Sequence, residues 1–114
     1  MADNSEWMAQ WRRGALELCV LRILKDKVSY GYEIVAVLSR LGPLAAGENT
    51  IYPLLRRLRN EKLLEAIMID SPKGPPRQYL RITDAGLAQL RARQHEWNEL
   101  RESVSRCLEL GSKA

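Results

Sequence analysis

Metal-ligand chemistry has almost nothing to work with in this chain of 114 residues: it holds one histidine, His95, and two cysteines far apart, Cys19 and Cys107. No His, Cys or carboxylate cluster has the spacing of a metal site, so no metal and no other cofactor is expected. Both cysteines fall at apolar positions of helical patterns and are expected as reduced core thiols, not as a disulfide. His95, within Gln94-His95-Glu96-Trp97, has no nucleophile beside it, and Gly42, Gly47 and Gly74 are isolated turn glycines, not a phosphate-cradling loop. The expectation is that the chain is not an enzyme. No apolar run approaches the roughly 20 residues that span a bilayer, and Met1-Ala2-Asp3-Asn4-Ser5-Glu6 does not read as a secretory signal. A cytoplasmic protein with no membrane partner is expected. Internal repeats and low-complexity tracts are missing as well, and the length gives room for one domain burying about 65% of its extended-chain surface.

What the chain does have is a segregated positive charge. Residues 1–48 hold six basic and six acidic side chains, and residues 84–114 hold five of each. Residues 49–83 hold seven basic against three acidic, which is the whole net charge of +4. Duplex DNA is a dense line of phosphate charge, and a localised basic element on a neutral scaffold is the electrostatic footprint of a protein that binds it. Charge that served only solubility would be spread more evenly.

Hydrophobic periodicity divides the chain into a series of elements. Residues 5–12 read as a short helix capped by Asn4 or Ser5, with Trp7, Met8 and Trp11 on one stripe, and Gly14 is expected to interrupt it. Leu16, Cys19, Val20, Ile23 and Leu24 mark a second helix, and Ile34, Val35, Leu38 and Leu41 a third, which Gly42-Pro43 ends. A fourth should start around Glu48–Thr50, because Pro53 is tolerated only near a first turn. Residues 64–69 and 77–82 read as strands around a loop over 70–76, and Thr83 opens a long helix to about Leu110. This order predicts a mainly α fold with a small two-stranded β wing: a winged helix-turn-helix over residues 1–83, followed over 84–114 by a C-terminal dimerisation helix and short tail.

At 100° per residue, Ile51, Leu54, Leu55 and Leu58 share one apolar arc of about 100° on the fourth helix. Asn49, Pro53, Arg56, Arg57 and Asn60 lie opposite, flanked by Tyr52 and Arg59. These side chains suit a major groove: arginine can bond guanine bidentately, asparagine can pair with adenine, and the hydroxyls of Thr50 and Tyr52 can reach phosphate. In the wing, Lys73 and Arg77 flank Gly74-Pro75-Pro76 and would hold a basic tip near the adjacent minor groove or backbone. Arg81 is equally open to a phosphate contact and to an ordinary exposed strand position.

The segments Arg13-Gly14-Ala15-Leu16-Glu17-Leu18, Tyr30-Gly31-Tyr32-Glu33-Ile34, Asn49-Thr50-Ile51-Tyr52-Pro53-Leu54-Leu55-Arg56-Arg57-Leu58 and Gly74-Pro75-Pro76-Arg77-Gln78-Tyr79-Leu80-Arg81-Ile82-Thr83-Asp84-Ala85-Gly86 resemble the PadR family of bacterial winged-helix repressors. The resemblance covers roughly residues 13–108 and fits the small subgroup with one C-terminal helix. It implies a homodimer paired through that helix, with Tyr52, Pro53 and Arg56 facing double-stranded promoter DNA and Tyr30 and Tyr32 near its backbone. The sequence departs from the family pattern at Lys62, where glycine is usual, at Pro75, in place of a wing arginine, and at Leu80, in place of a second tyrosine.

On the last helix Leu90, Trp97, Leu100, Val104 and Cys107 recur as a and d positions of a heptad, with Arg93 breaking the seam. With Trp7, Met8 and Trp11 they form the candidate dimer interface. Two copies would read half-sites about one helical turn, roughly 34 Å, apart. Trp97 has two readings. Similarity to PadR-like proteins that bind planar aromatic compounds makes it an effector-binding residue, whereas large aromatics at helical spacing ordinarily pack a seam, which is the favoured assignment. The sequence thus points to a homodimeric repressor, with release by a small aromatic effector expected only if Trp97 takes its ligand-binding reading. A winged-helix protein-interaction adaptor and a nonspecific DNA-binding protein remain the alternatives.

Overall fold

Leucine, isoleucine and valine from every element of the chain converge on one aliphatic core, and the way each element reaches that core fixes what it leaves outside. The computed structural model describes residues 4–111. Its elements are α1 (Asn4–Asp26), α2 (Gly31–Ser39), a 3-10 turn at Gly42–Leu44, α3 (Glu48–Asn60), β1 (Leu64–Ser71), β2 (Gly74–Ile82) and α4 (Asp84–Leu108). The core is built from Leu16, Val20, Leu21 and Leu24 of α1, Ile34 and Leu38 of α2, Ile51, Leu54, Leu55 and Leu58 of α3, then Leu63, Leu64, Leu80 and Leu90. The fold is a winged helix: a mainly helical body with a two-stranded antiparallel sheet.

The expected break at Gly14 is not there; α1 is one helix of 23 residues. A mid-helix glycine costs only about 1 kcal/mol relative to alanine. Each buried leucine just beyond it returns about 1.5–3 kcal/mol, so the second half of α1 is well anchored. The first half is tied down separately, by a 2.9 Å hydrogen bond that Arg12 Nη1 donates to the Pro43 carbonyl. The cap expected from Asn4 or Ser5 lies outside the side chains described.

α3 ends in a Schellman arrangement, the Lys62 N–H bonding the Arg59 carbonyl at 2.9 Å and the Leu63 N–H the Leu58 carbonyl at 3.0 Å. Leu58 and Leu63 are both buried, which is the apolar contact that accompanies this motif. It puts Lys62 at φ 67°, the left-handed region where glycine is the unstrained residue. α3 starts at Glu48, within the expected Glu48–Thr50, which puts Pro53 in its second turn, where the ring removes one N–H donor.

β1 and β2 pair from Leu64↔Ile82 to Ile69↔Arg77, then shift register so that Ser71 pairs with Gly74. The wing loop is therefore Pro72-Lys73, shorter than the 70–76 expected, and Pro75 and Pro76 begin β2 in the bulge, where missing N–H donors cost least. Ser29 extends the sheet by a bridge to Leu80, with N–H to carbonyl bonds of 3.2 and 2.8 Å.

Thr83 caps α4 by accepting from the Gly86 N–H at 3.0 Å and donates its own hydroxyl hydrogen to the Lys62 carbonyl at 2.7 Å. Gly86 passes so close to the chain that a Cβ there would lie 2.3 Å from the Leu63 carbonyl oxygen. The first turns of α4 are thus locked to the body, and Leu90, 3% exposed, belongs to this chain's own core. It has no surface left to bury against a second copy, which removes it from the expected seam. Beyond Leu90 the helix, about 37 Å long in all, runs out from the body and gives the molecule extents of 64 × 36 × 21 Å. Trp97, Leu100, Val104 and Cys107 are exposed on the projecting part. Of the two thiols expected in the core, Cys19 is half-buried and burial pushes its pKa up, whereas Cys107 is exposed. No helix among the described residues is long and apolar enough to cross a membrane.

Candidate nucleic-acid interface

The apolar arc of α3 is buried as its periodicity predicts, and that burial aims the opposite face outward: Asn49, Thr50, Tyr52, Pro53, Arg56, Arg57, Arg59 and Asn60 are all exposed. The wing folds back beside this helix. Between the two runs a cleft of about 410 Å³ lined by Tyr30, Tyr52, Arg56, Arg59, Arg77 and Gln78, with Leu55 and Leu80 at its base. Three guanidiniums converge there and no acidic side chain lines it.

Tyr30, the residue before α2, organises the cleft. The Arg77 guanidinium lies 5.0 Å from the centre of its ring, a cation–π contact that carries the wing arginine towards α3. Tyr79 meets the same ring edge-on at 5.2 Å, and Tyr32 stacks beside it at 6.3 Å with 15° between planes. The Tyr30 backbone N–H is held by Glu33 Oε1 at 3.1 Å, fixing the start of α2. Gly31 makes room for Tyr52: a Cβ there would sit 2.1 Å from Cε1 of Tyr52, so the Tyr52 ring lies directly against the backbone of α2. Tyr52 is thus placed by the packing of α3 against α2, and Tyr30 by its ring contacts with Arg77, Tyr79 and Tyr32.

Not every expected residue joins this cleft. Lys73 is at the wing tip, and Asn49 and Asn60 lie on the outer surface of α3. Thr50, Pro53 and Arg57 turn towards α1 and line a separate hollow. Arg57 is held by an ion pair with Glu17 of α1, and Arg93 Nη1 of α4 bonds the other carboxylate oxygen of Glu17 at 2.9 Å. The heptad break at Arg93 is thereby explained: it faces Glu17 across the α1–α4 contact. Arg81 is spoken for as well, bonding Glu65 Oε1 through Nε at 2.7 Å across the strand pair, so the phosphate role weighed for it gives way to a cross-strand ion pair. Arg59 and Gln78 are cleft residues that the expected set omitted. Arg59 was visible as a flank of α3, but Gln78 faces the cleft only because of the strand register.

An exposed basic helix held against a two-stranded wing defines a winged-helix DNA-binding protein. The model of the Transcriptional regulator PadR-like family matches residues 20–92, and the chain belongs to that family. It is 39% identical to a PadR-like transcriptional regulator from Bacillus cereus strain ATCC 14579, whose crystal structure superposes with a TM-score of 0.79 over 88% of this chain and 97% of that one. It is 37% identical to a PadR family transcriptional regulator from Eggerthella lenta DSM 2243, with a TM-score of 0.84 over 94% of this chain and 93% of that one. An uncharacterized protein of Lysinibacillus sphaericus is 34% identical over 99 residues, 85% of this chain and 91% of its own length. The family and these two structural neighbours are described as transcriptional regulators.

Proposed function

We propose that this chain is a cytoplasmic, homodimeric, sequence-specific transcriptional repressor. The observation that carries the reading is the acid-free cleft of Arg56, Arg59 and Arg77 beside the outward face of α3. In this reading Asn49, Pro53, Arg56 and Asn60 face the base edges of a major groove. Tyr30, Tyr32, Tyr52, Lys73 and Arg77 meet the backbone on the wing side, and Thr50 and Arg57 meet it on the α1 side. Residues 1–83 supply the DNA-reading unit and 84–114 the dimerisation helix. A monomer that left Trp97, Leu100, Val104, Leu108, Trp7 and Trp11 exposed would carry an apolar surface that soluble single chains seldom tolerate. A second copy pairing along α4 covers it and sets two recognition helices for one two-fold operator. Repression follows from occupying a promoter.

An aromatic effector is a second part of the reading. Trp97, Leu100, Gly14, Ala15 and Leu18 line a hollow of about 230 Å³ between α1 and α4. That is below the usual volume of a ligand site, and a partner helix across the seam would enclose and enlarge it. A planar ligand stacked on Trp97 would shift the spacing of the two recognition helices.

The test is fluorescence anisotropy of the purified protein on its own upstream DNA and on a scrambled duplex of equal length, across a salt series. Sequence-preferring binding with two chains per site, weakened at least tenfold in Arg56→Ala, supports the repressor. Equal affinity for both duplexes would indicate nonspecific binding, and no binding at low salt would leave the fold as a protein-interaction module. For the effector, planar aromatic compounds that neither quench tryptophan fluorescence nor change DNA affinity would remove that part.

A further inference from the structure

The α1 flank of the recognition helix carries a second basic hollow, about 320 Å³ in volume, lined by Arg12, Arg13, Thr50, Pro53, Leu54 and Arg57. We propose that this hollow, with Arg13 as its free cation, seats a backbone phosphate of the DNA strand opposite to the one that meets the wing cleft. The proposal deepens the DNA-binding reading above and rests on it.

The geometry of α3 requires two such places. At 100° per residue Tyr52 and Arg59 fall on one flank and Thr50 and Arg57 on the other, with Asn49, Pro53 and Asn60 between. A helix with side chains is about 10–12 Å across and a major groove about 12 Å wide, so a helix seated in the groove faces a phosphate chain on each side. The wing flank meets its strand with Arg59 and Arg77, beside the groove-facing Arg56. On the other flank α3 supplies Thr50 and Arg57, and α1 supplies the remaining charge.

The three arginines of this hollow differ in what they are free to do. Arg12 is tied to the Pro43 carbonyl, and Arg57 to Glu17, whose carboxylate is shared with Arg93. Arg13 is exposed, and among the described residues its guanidinium has no hydrogen-bond or ion-pair partner. No acidic side chain lines the hollow, and the Thr50 hydroxyl adds a donor beside the cations. Arg57 is still half-exposed while it holds Glu17, so it presents charge to the hollow without leaving that contact. A phosphate is the ligand that matches a cradle of arginine and hydroxyl donors with a positive rim and no acidic side chain.

The experiment compares wild type, Arg13→Gln and Arg13→Lys on two fluorescent duplexes, the chain's upstream DNA and an arbitrary sequence of equal length, by anisotropy over a salt series with melting curves alongside. A backbone contact predicts that Arg13→Gln loses about five- to tenfold in affinity on both duplexes. The slope of log K against log salt should flatten by about 0.9 per bound chain, with Arg13→Lys keeping the slope. Melting should not change, since among the described residues the exposed Arg13 guanidinium has no hydrogen-bond or ion-pair partner to lose. An Arg13→Gln protein that matches wild type in affinity and slope, while Arg56→Ala weakens binding, overturns the phosphate site and leaves the repressor reading standing. A loss confined to one duplex with an unchanged slope overturns it too, by making Arg13 a base reader, as does an Arg13→Lys protein that loses the slope. Wild type that binds neither duplex overturns the DNA-binding reading itself.

Discussion

Replacing Lys62 with glycine should make this protein more stable, although it removes a side chain and adds none. Lys62 sits at φ 67° in the Schellman end of α3. An L-residue in left-handed helical geometry costs about 1–2 kcal/mol, because its Cβ crowds the following carbonyl oxygen. Glycine escapes that cost but gives up about 0.5–1 kcal/mol to the greater freedom of its unfolded chain. The backbone bonds at this position, from the Lys62 N–H to Arg59 and from Thr83 Oγ1 to the Lys62 carbonyl, survive the change. The lysine side chain is exposed and makes no ion pair among the described residues. The net expectation is a gain of about 0.5–1 kcal/mol, seen as a melting midpoint raised by about 2–5 °C for a domain of this size. Lys62→Ala is the control: it removes the same charge but keeps the strained backbone, so its midpoint should stay within about 0.5 kcal/mol of wild type. Thermal melting by far-UV circular dichroism is read at matched chain concentration, because assembly would shift the midpoint by mass action. If Lys62→Gly melts at or below Lys62→Ala, the strain assigned to this residue does not exist.

Two further expectations concern the cleft and the thiols. Gly31→Ala places a methyl 2.1 Å from a Tyr52 ring atom; the exposed ring can swing aside, so stability should move by no more than about 1 kcal/mol. DNA affinity should fall about tenfold as the cleft loses Tyr52, and a fully folded Gly31→Ala protein with wild-type affinity would show that Tyr52 placement does not matter. Burial raises the pKa of Cys19 above the ordinary 9.0 of a thiol. The folded state therefore favours the neutral thiol, a contribution present below that ordinary pKa and lost as pH rises through the folded value. Iodoacetamide at pH 8 should accordingly label exposed Cys107 well before Cys19 in the dilute protein, as followed by mass spectrometry, and equal labelling would contradict the burial. Protection of Cys107 at high protein concentration would report pairing along α4.

Much of this architecture could be read without coordinates because periodicity is a local property. The buried arc of Ile51, Leu54, Leu55 and Leu58 specified a helix and, in the same stroke, which of its residues would be left outside. Alternation and turn residues located both strands, and the segregation of charge into residues 49–83 located the surface that carries the basic cleft. Motifs gave the family, which the match over residues 20–92 establishes.

Other features depended on contacts between segments far apart in sequence, and no local pattern carries those. Gly14 reads as a break, yet α1 continues through it because Arg12 and the leucines beyond are anchored by other elements. Leu90 and Arg93 fit a dimer heptad by spacing, but the fold spends the first on the core and the second on Glu17, 76 residues away. Arg56 and Arg57 are adjacent and chemically identical; a turn of 100° sends one to the wing cleft and the other to α1. Sequence alone determined the order of helices and strands beyond α1, the family and the sign of the surface, since these follow from composition and near-neighbour spacing. Tertiary structure alone decided which cations stay free and which are neutralised, because that depends on what each side chain meets across the fold.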